Sequence, residues 1–176
     1  MQDPKFFSIL LRIDIELAAQ RRAQGCPCGG VLHKANYSRK PRACPLEVRA
    51  DFESRFSFCC NRCRKRWTAM SVRFLGRRVY LSLAVVLMSS RPAVITPTQM
   101  ALSKTLAIPI RTLNRWRVWW TEIFPTSKLW QSDCARFMPP IPAHEFPAGL
   151  IERFTGSAAD SMMRLLTFLL PLSVRR

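Results

Sequence analysis

Two cysteine pairs, Cys26-Pro27-Cys28 and Cys60-Asn61-Arg62-Cys63, set the tightest limit on what this chain can fold into. A tetrahedral metal needs four ligands, and two tight turns that each present two thiolates supply them in the least chain length. Gly29 and Gly30 follow the first pair, where a backbone curling around a metal wants positive φ. Arg62, Arg64 and Lys65 flank the second pair, and nearby positive charge favours the thiolate form. The first pair is one residue shorter than the usual C-x-x-C. That spacing strains the turn, or recruits His33 or Cys44 in place of one thiol. Cys59 and Cys60 are adjacent on an expected strand, so their side chains point to opposite faces. The C-x-x-C spacing favours Cys60 and leaves Cys59 as a packing residue or a spare thiol. The expected site is therefore a structural Zn2+ on Cys26, Cys28, Cys60 and Cys63, with buried free thiols as the alternative. A redox pair would want a strand-to-helix setting that neither motif has. A catalytic metal would want an open position and a general base in a segment poor in carboxylates.

Reduced thiols suit the rest of the chain. Seven cysteines is an odd number, and the N-terminal "MQDPKFFSILLRIDIELAAQ" has charges inside its apolar run, unlike a secretion signal. The most apolar stretches, residues 79–88 and 165–172, are too short to span a bilayer. The expected location is cytoplasmic and nucleoid-associated, with no membrane partner and no small-molecule substrate. Twenty-eight Lys and Arg against eleven Asp and Glu give a net charge of +17, which calls for a polyanion, and nucleic acid is the usual one. Residues 34–78 concentrate that charge, with thirteen basic residues against Glu47, Asp51 and Glu53.

Periodicity predicts an α+β chain, mostly α. Asp3-Pro4 is a good helix start, and Phe6, Phe7, Leu10, Leu11, Ile15 and Ala18 form one apolar stripe ending by Gly25. From Gly29 alternation replaces it: residues 31–38, 56–58 and "WTAMSVRF" read as three short strands around the cysteines. After Gly76 helical patterns return, at 79–90, 98–106 and 110–124. Residues 126–149 are proline-rich and read as an extended wrap, and a last helix over 158–170 carries Met162, Leu165, Leu166 and Leu169. The expected segments are 1–25, a packing helix; 26–76, a three-stranded ribbon; 77–125, a helical bundle; and 126–176, the wrap and final helix.

"LAIPIRTLNRW", residues 106–116, is the second informative stretch. Leu106, Ile108, Leu113 and Trp116 sit where a helix-turn-helix needs apolar anchors. On the following helix Leu113, Trp116, Trp120 and Phe124 recur at spacings of three and four, an inward stripe. Arg111, Asn114, Arg115 and Val118 fall outside it, with Arg117 beside them. Arginine pairs with guanine edges and asparagine with adenine edges, so this face has the chemistry of major-groove reading.

Together these stretches resemble the DNA-binding regions of bacterial insertion-sequence transposases. Phe58, Cys60, Cys63, Arg66 and Trp67 match the end of the zinc ribbon that precedes the helix-turn-helix in such proteins. Leu106, Ile108, Thr112, Leu113, Arg115 and Trp116 match the helix-turn-helix itself, with Ala107 in place of the turn glycine and Pro109 in place of the capping hydroxyl residue. "SVRFLGRRVY" and "RFMPP" look like small transposon-associated bacterial proteins. The resemblance implies duplex DNA as partner, and a transposase or a second copy of the chain as a further one. It does not carry catalysis across. Beyond residue 125 only Asp133, Glu145, Glu152 and Asp160 remain, with no strands to hold a metal-binding trio. The chain is expected to be a non-enzymatic DNA-binding protein, with Arg111, Asn114, Arg115 and Arg117 on the groove and Arg62, Arg64, Lys65 and Arg66 on phosphates. An RNA-binding or ribosome-associated ribbon and a protein adaptor for a transposase are the alternatives.

Overall fold

A computed structural model describes residues 4–39, 44, 46–75 and 108–174. The helices expected at 79–90 and 98–106, and with them the first half of the helix-turn-helix, lie outside these residues. The chain is mixed α and β and divides into two compact units, residues 1–81 with 169–176, and residues 82–168.

The first unit opens with α1, Pro4–Ala23, which starts at the proline and ends before Gly25, whose φ of +67° only glycine takes readily. Arg21 closes its last turn by donating to the Gly25 carbonyl at 3.2 Å. Five strands follow: β1 (Leu32–Lys34), β2 (Tyr37–Ser38), β3 (Ser54–Arg55), β4 (Ser57–Cys60) and β5 (Arg66–Thr68). A short α2, Arg49–Phe52, separates β2 from β3. The alternating run over 31–38 is thus two strands with different partners. β1 pairs with β4 and β4 with β5, all antiparallel, in a three-stranded sheet ordered β1-β4-β5. β2 pairs with β3 in a separate two-stranded ribbon. Register puts Lys34, Phe58 and Trp67 side by side on one face, and His33, Cys59 and Arg66 on the other. Ala18 of α1 packs with Leu32, Phe58, Cys26, Cys60 and Ala69, and Phe56 and Trp67 cover that cluster.

The stripe of α1 differs from the expected one at Leu11, which is only half-buried, and at Ile15, whose place Asp14 takes. Phe6, Phe7, Leu10, Asp14 and Ala18 are buried, whereas Ile15 is half exposed. An acid takes the inward position because its charge is answered. Asp14 and Arg73 are each 1% exposed and joined at 2.7 Å between Oδ2 and Nε. Ser71 Oγ donates to the same oxygen, and the Val72 N–H donates to Oδ1 at 2.8 Å. The rest of the Arg73 guanidinium donates to the Asp51 and Ser54 carbonyls, among the rings of Phe52, Phe56 and Phe74. Arg55 is also buried and donates to the carbonyls of Ala69 and Ser173 at 2.8 and 3.1 Å. Burial lowers the pKa of its guanidinium, and Asp14 opposes that shift. Two of the cations counted toward a polyanion surface are therefore internal.

The second unit is built on aromatics. Helix α3, Ile110–Val118, runs on through a π-helical turn, Trp119–Ile123. Residues 126–149 are not an extended wrap. They hold α4, Lys128–Asp133, whose cap Ser127 Oγ accepts from the Trp130 N–H at 3.2 Å. They also hold two short 3₁₀ turns, and α5, Ala148–Glu152, starts inside them. The reason is the spacing of Trp130, Phe137 and Phe146, which draws the segment inward. Trp130 stacks on Phe137 at 5.4 Å and meets Phe146 edge-on at 4.9 Å, while Phe124 touches both Trp130 and Phe146. Helix α6, Ala158–Phe168, begins with a reciprocal cap: the Ser157 Oγ accepts from the Asp160 N–H, and the Asp160 carboxylate accepts from the Ser157 N–H. Its Met162, Leu165 and Leu166 are buried, and Leu169 follows just beyond its end.

Candidate metal centre and basic surfaces

Each cysteine pair sits on a turn that the local sequence dictates. After Cys28 the chain reverses, with the Gly29 N–H donating to the Cys26 carbonyl at 2.8 Å and Gly29 at φ +75°. Gly30 is needed for room instead. A Cβ there would lie 2.5 Å from Cys60 Sγ and 2.9 Å from Asn61 Oδ1. The second pair caps the hairpin between β4 and β5, where the Arg64 N–H donates to the Cys60 carbonyl and Arg64 itself takes φ +59°. Asn61 ties the turns together: its side chain accepts from the Val31 N–H at 2.9 Å, and its own N–H donates to the Val31 carbonyl at 3.0 Å. Arg62 spans the same gap, donating to the Cys28 carbonyl at 3.2 Å.

These turns bring the sulfurs of Cys26, Cys28, Cys60 and Cys63 within 4.8 Å of one another, close enough to hold a metal ion. Cys26 to Cys63 is 3.6 Å, and Cys28 lies 3.4 Å from both Cys26 and Cys60. Metal–sulfur bonds of about 2.3 Å in a tetrahedron require edges of about 3.8 Å, so the cluster is already nearly the right size for zinc. An all-sulfur set suits a soft or borderline cation and not magnesium or calcium. The C-x-C pair delivers both thiols despite its shortness. His33 is exposed and neither it nor Cys44 joins the cluster. Cys59 turns away, its thiol donating to the Arg64 carbonyl at 3.4 Å.

Four thiols this close compete for negative charge. The backbone N–H of Cys28 is the largest influence on Cys26 and lowers its pKa, against burial. Burial raises Cys60, but the backbone N–H groups of Cys63 and Arg62, together with the thiols of Cys28 and Cys63, outweigh it and bring the thiol down to about 6. Cys63 has the Lys65 N–H in its favour, yet burial and the three neighbouring thiols push it up to about 12. Like charges at this distance resist joint ionisation. A divalent cation at the centre removes that conflict.

The basic residues near the cluster separate into two kinds. Arg64 and Lys65 stand exposed at the hairpin tip, with Lys65 Nζ 5.1 Å from the Trp67 ring and Arg21 over the same ring at 4.4 Å. Arg66 is exposed but donates to the Ala35 carbonyl at 3.0 Å and lies over Tyr37. Arg62 is likewise tied down, as described above.

Helix α3 has the two faces that its sequence predicts. Leu113, Trp116, Trp120 and Phe124 are buried, and Arg111, Asn114, Arg115 and Val118 are exposed. Pro109 occupies the cap with no side-chain hydrogen bond, and its carbonyl takes the Thr112 N–H at 2.8 Å. Arg117 is half-buried and donates to Asn114 Oδ1 at 3.4 Å. Trp119 packs on Trp120 and Phe124. The buried Asp14–Arg73 network escaped the sequence reading. Its one signal was an acid at helical spacing between Leu10 and Ala18.

Searches against protein-family models, curated proteins and solved structures find no match to this chain. Among the described residues, no helix is long and apolar enough to cross a membrane.

Proposed function

We propose that this chain is a DNA-binding protein without catalytic activity, in which a structural Zn2+ on Cys26, Cys28, Cys60 and Cys63 holds a zinc ribbon together and helix α3 reads duplex DNA. The zinc supplies a fixed tetrahedral crosslink between the two turns and no reaction step. Asn61 and Arg62 brace those turns, and Arg64 and Lys65 are left at the tip to meet phosphates. Arg62 and Arg66 add positive charge from positions fixed by their carbonyl contacts.

The observation that carries the reading is the division of α3. One side is anchored by Leu113, Trp116 and Trp120, and the other offers Arg111, Asn114, Arg115 and Val118 with no acid among them. Arg111 and Arg115 have the forked donors that guanine accepts, Asn114 matches adenine, and Val118 offers methyl contact to thymine. Arg117 steadies Asn114 from the side. Exposed Glu122 lies further along and would repel phosphate, which confines contact to the first turns. A net charge of +17 supplies the attraction on which such readout rests. The ribbon-then-helix order is also the order in the transposase DNA-binding regions that the sequence resembles, so a place near mobile elements in the cytoplasmic nucleoid is part of the proposal.

Capture of fragmented genomic DNA by the purified protein tests this. Discrete sites should survive high salt, and Arg111→Ala with Arg115→Ala should weaken them by about tenfold per arginine lost. Unchanged affinity in a folded double variant would sink the assignment. So would uniform retention that vanishes with salt, or displacement by structured RNA in preference to duplex DNA.

A further inference from the structure

A cavity of about 550 Å3 opens in the second unit, away from both the cysteine cluster and α3 in sequence. Three guanidiniums line it, Arg136, Arg153 and Arg164, and among the described residues no carboxylate does. Its apolar wall is Phe137, Phe154 and Phe168, three rings packed mutually at 5.4 to 6.1 Å. Phe154 and Phe168 are only half-buried, so part of each ring is uncovered.

The cations are held in place without being used up. Arg153 donates to the carbonyls of Met138 and Pro139 at 3.0 and 2.8 Å, which fixes its fork at the rim. Arg136 pairs with Asp133 at 2.9 Å and Arg164 donates to Thr155 Oγ1 at 3.4 Å. A guanidinium has five N–H donors, and each of these contacts engages one or two. Asp133, and Asp160 near Arg164, stand outside the lining and moderate the charge without reversing it.

A concave site of this volume, with an aromatic wall and convergent cations, fits a flat ring carrying an anion. We propose that the cavity binds a nucleoside phosphate, the base lying against the phenylalanine wall and the phosphate meeting Arg136 and Arg164. The same chemistry is presented by a free mononucleotide and by the phosphorylated end of a single strand. Inorganic phosphate would use the arginines alone, and a nucleoside the rings alone. This site is independent of DNA reading by α3 and shares no residue with it.

Calorimetric titration of the full chain with adenosine monophosphate, ribose 5-phosphate, adenosine and a 5′-phosphorylated oligodeoxynucleotide tests the proposal. Adenosine monophosphate should bind more tightly than either of its parts. Arg136→Ala with Arg164→Ala should weaken it by about tenfold or more, since both side chains are exposed and the fold does not need them. Arg111→Ala with Arg115→Ala removes the same charge elsewhere and should leave nucleotide affinity unchanged. Oligonucleotide binding lost in Arg136→Ala with Arg164→Ala but kept in Arg111→Ala with Arg115→Ala would assign the site to strand ends, and a loss confined to the free nucleotide would assign it to the free ligand. Equal affinity for ribose 5-phosphate and adenosine monophosphate would overturn the proposal. An equal loss in the two double variants would also overturn it, because the attraction would then be net charge alone.

Discussion

At the scale of single residues, the metal cluster depends as much on what is missing as on its thiols. Gly29 and Gly30 look alike in sequence, and both invite the same explanation, a turn with positive φ. Only Gly29 has it. Gly30 is fixed by the sulfur of Cys60, 2.5 Å from where a Cβ would stand. Gly30→Ala must therefore move the Cys60 sulfur or the hairpin behind it, and should destabilise the first unit by about 1–3 kcal/mol, the usual cost of overpacking. Gly29→Ala should cost less, about 1 kcal/mol, because its Cβ meets nothing closer than Arg62 at 3.5 Å and only the backbone is strained. Thermal unfolding of the two metal-loaded variants, with a chelator competition beside it, ranks them. Equal melting points and equal metal retention would show that Gly30 is not a packing requirement. That Cys26, Cys28, Cys60 and Cys63 come together was legible, because metal chemistry fixes residue types and spacing locally. Gly30's role was not, because the clash is with a residue thirty positions away.

At the scale of elements, the same contrast separates α3 from α1. The inward stripe of α3 follows from spacing alone, since tryptophan, leucine and phenylalanine have no reason to face water. In α1 the stripe contains Asp14, and its partner Arg73 lies fifty-nine residues along in a stretch that reads as an alternating strand. Nothing local distinguishes that arginine from the solvent-facing ones around it. The proline-rich segment misled for a related reason: its prolines mask the capped α4, while Trp130, Phe137 and Phe146 decide where it goes. A consequence follows for α1. Breaking a fully buried pair strands one charge without solvent, so Asp14→Ala should cost about 3–5 kcal/mol in urea unfolding. Asp14→Leu combined with Arg73→Met replaces both charges by apolar groups and should recover much of that loss. If the double variant were as unstable as the single one, the carbonyl contacts of Arg73, and not the ion pair, would be what anchors α1.

At the scale of the whole molecule, the two units have cores of different kinds. The second is held by rings: Trp120, Phe124, Trp130 and Phe146 form a continuous aromatic cluster. The first has a sheet of three strands with three to four residues each, and the cysteine cluster where the central strand β4 ends in its turn to β5. A metal held on that cluster would crosslink so small a sheet, and its binding free energy would be largely folding free energy. Tryptophan reports on the two separately. Trp67 is the one tryptophan of the first unit, and Trp116, Trp119, Trp120 and Trp130 belong to the second. Removing metal with a chelator should uncover Trp67, which sits under Arg21 at 4.4 Å and against the Phe58 cluster, and shift its emission to the red. The four others should keep their emission, because their packing contains no thiol ligand. Trp67→Phe makes the test decisive, since chelation should then leave the fluorescence unchanged while zinc is still released. A red shift that persists in Trp67→Phe would mean that loss of the metal reaches the aromatic core, and that the two units fold as one.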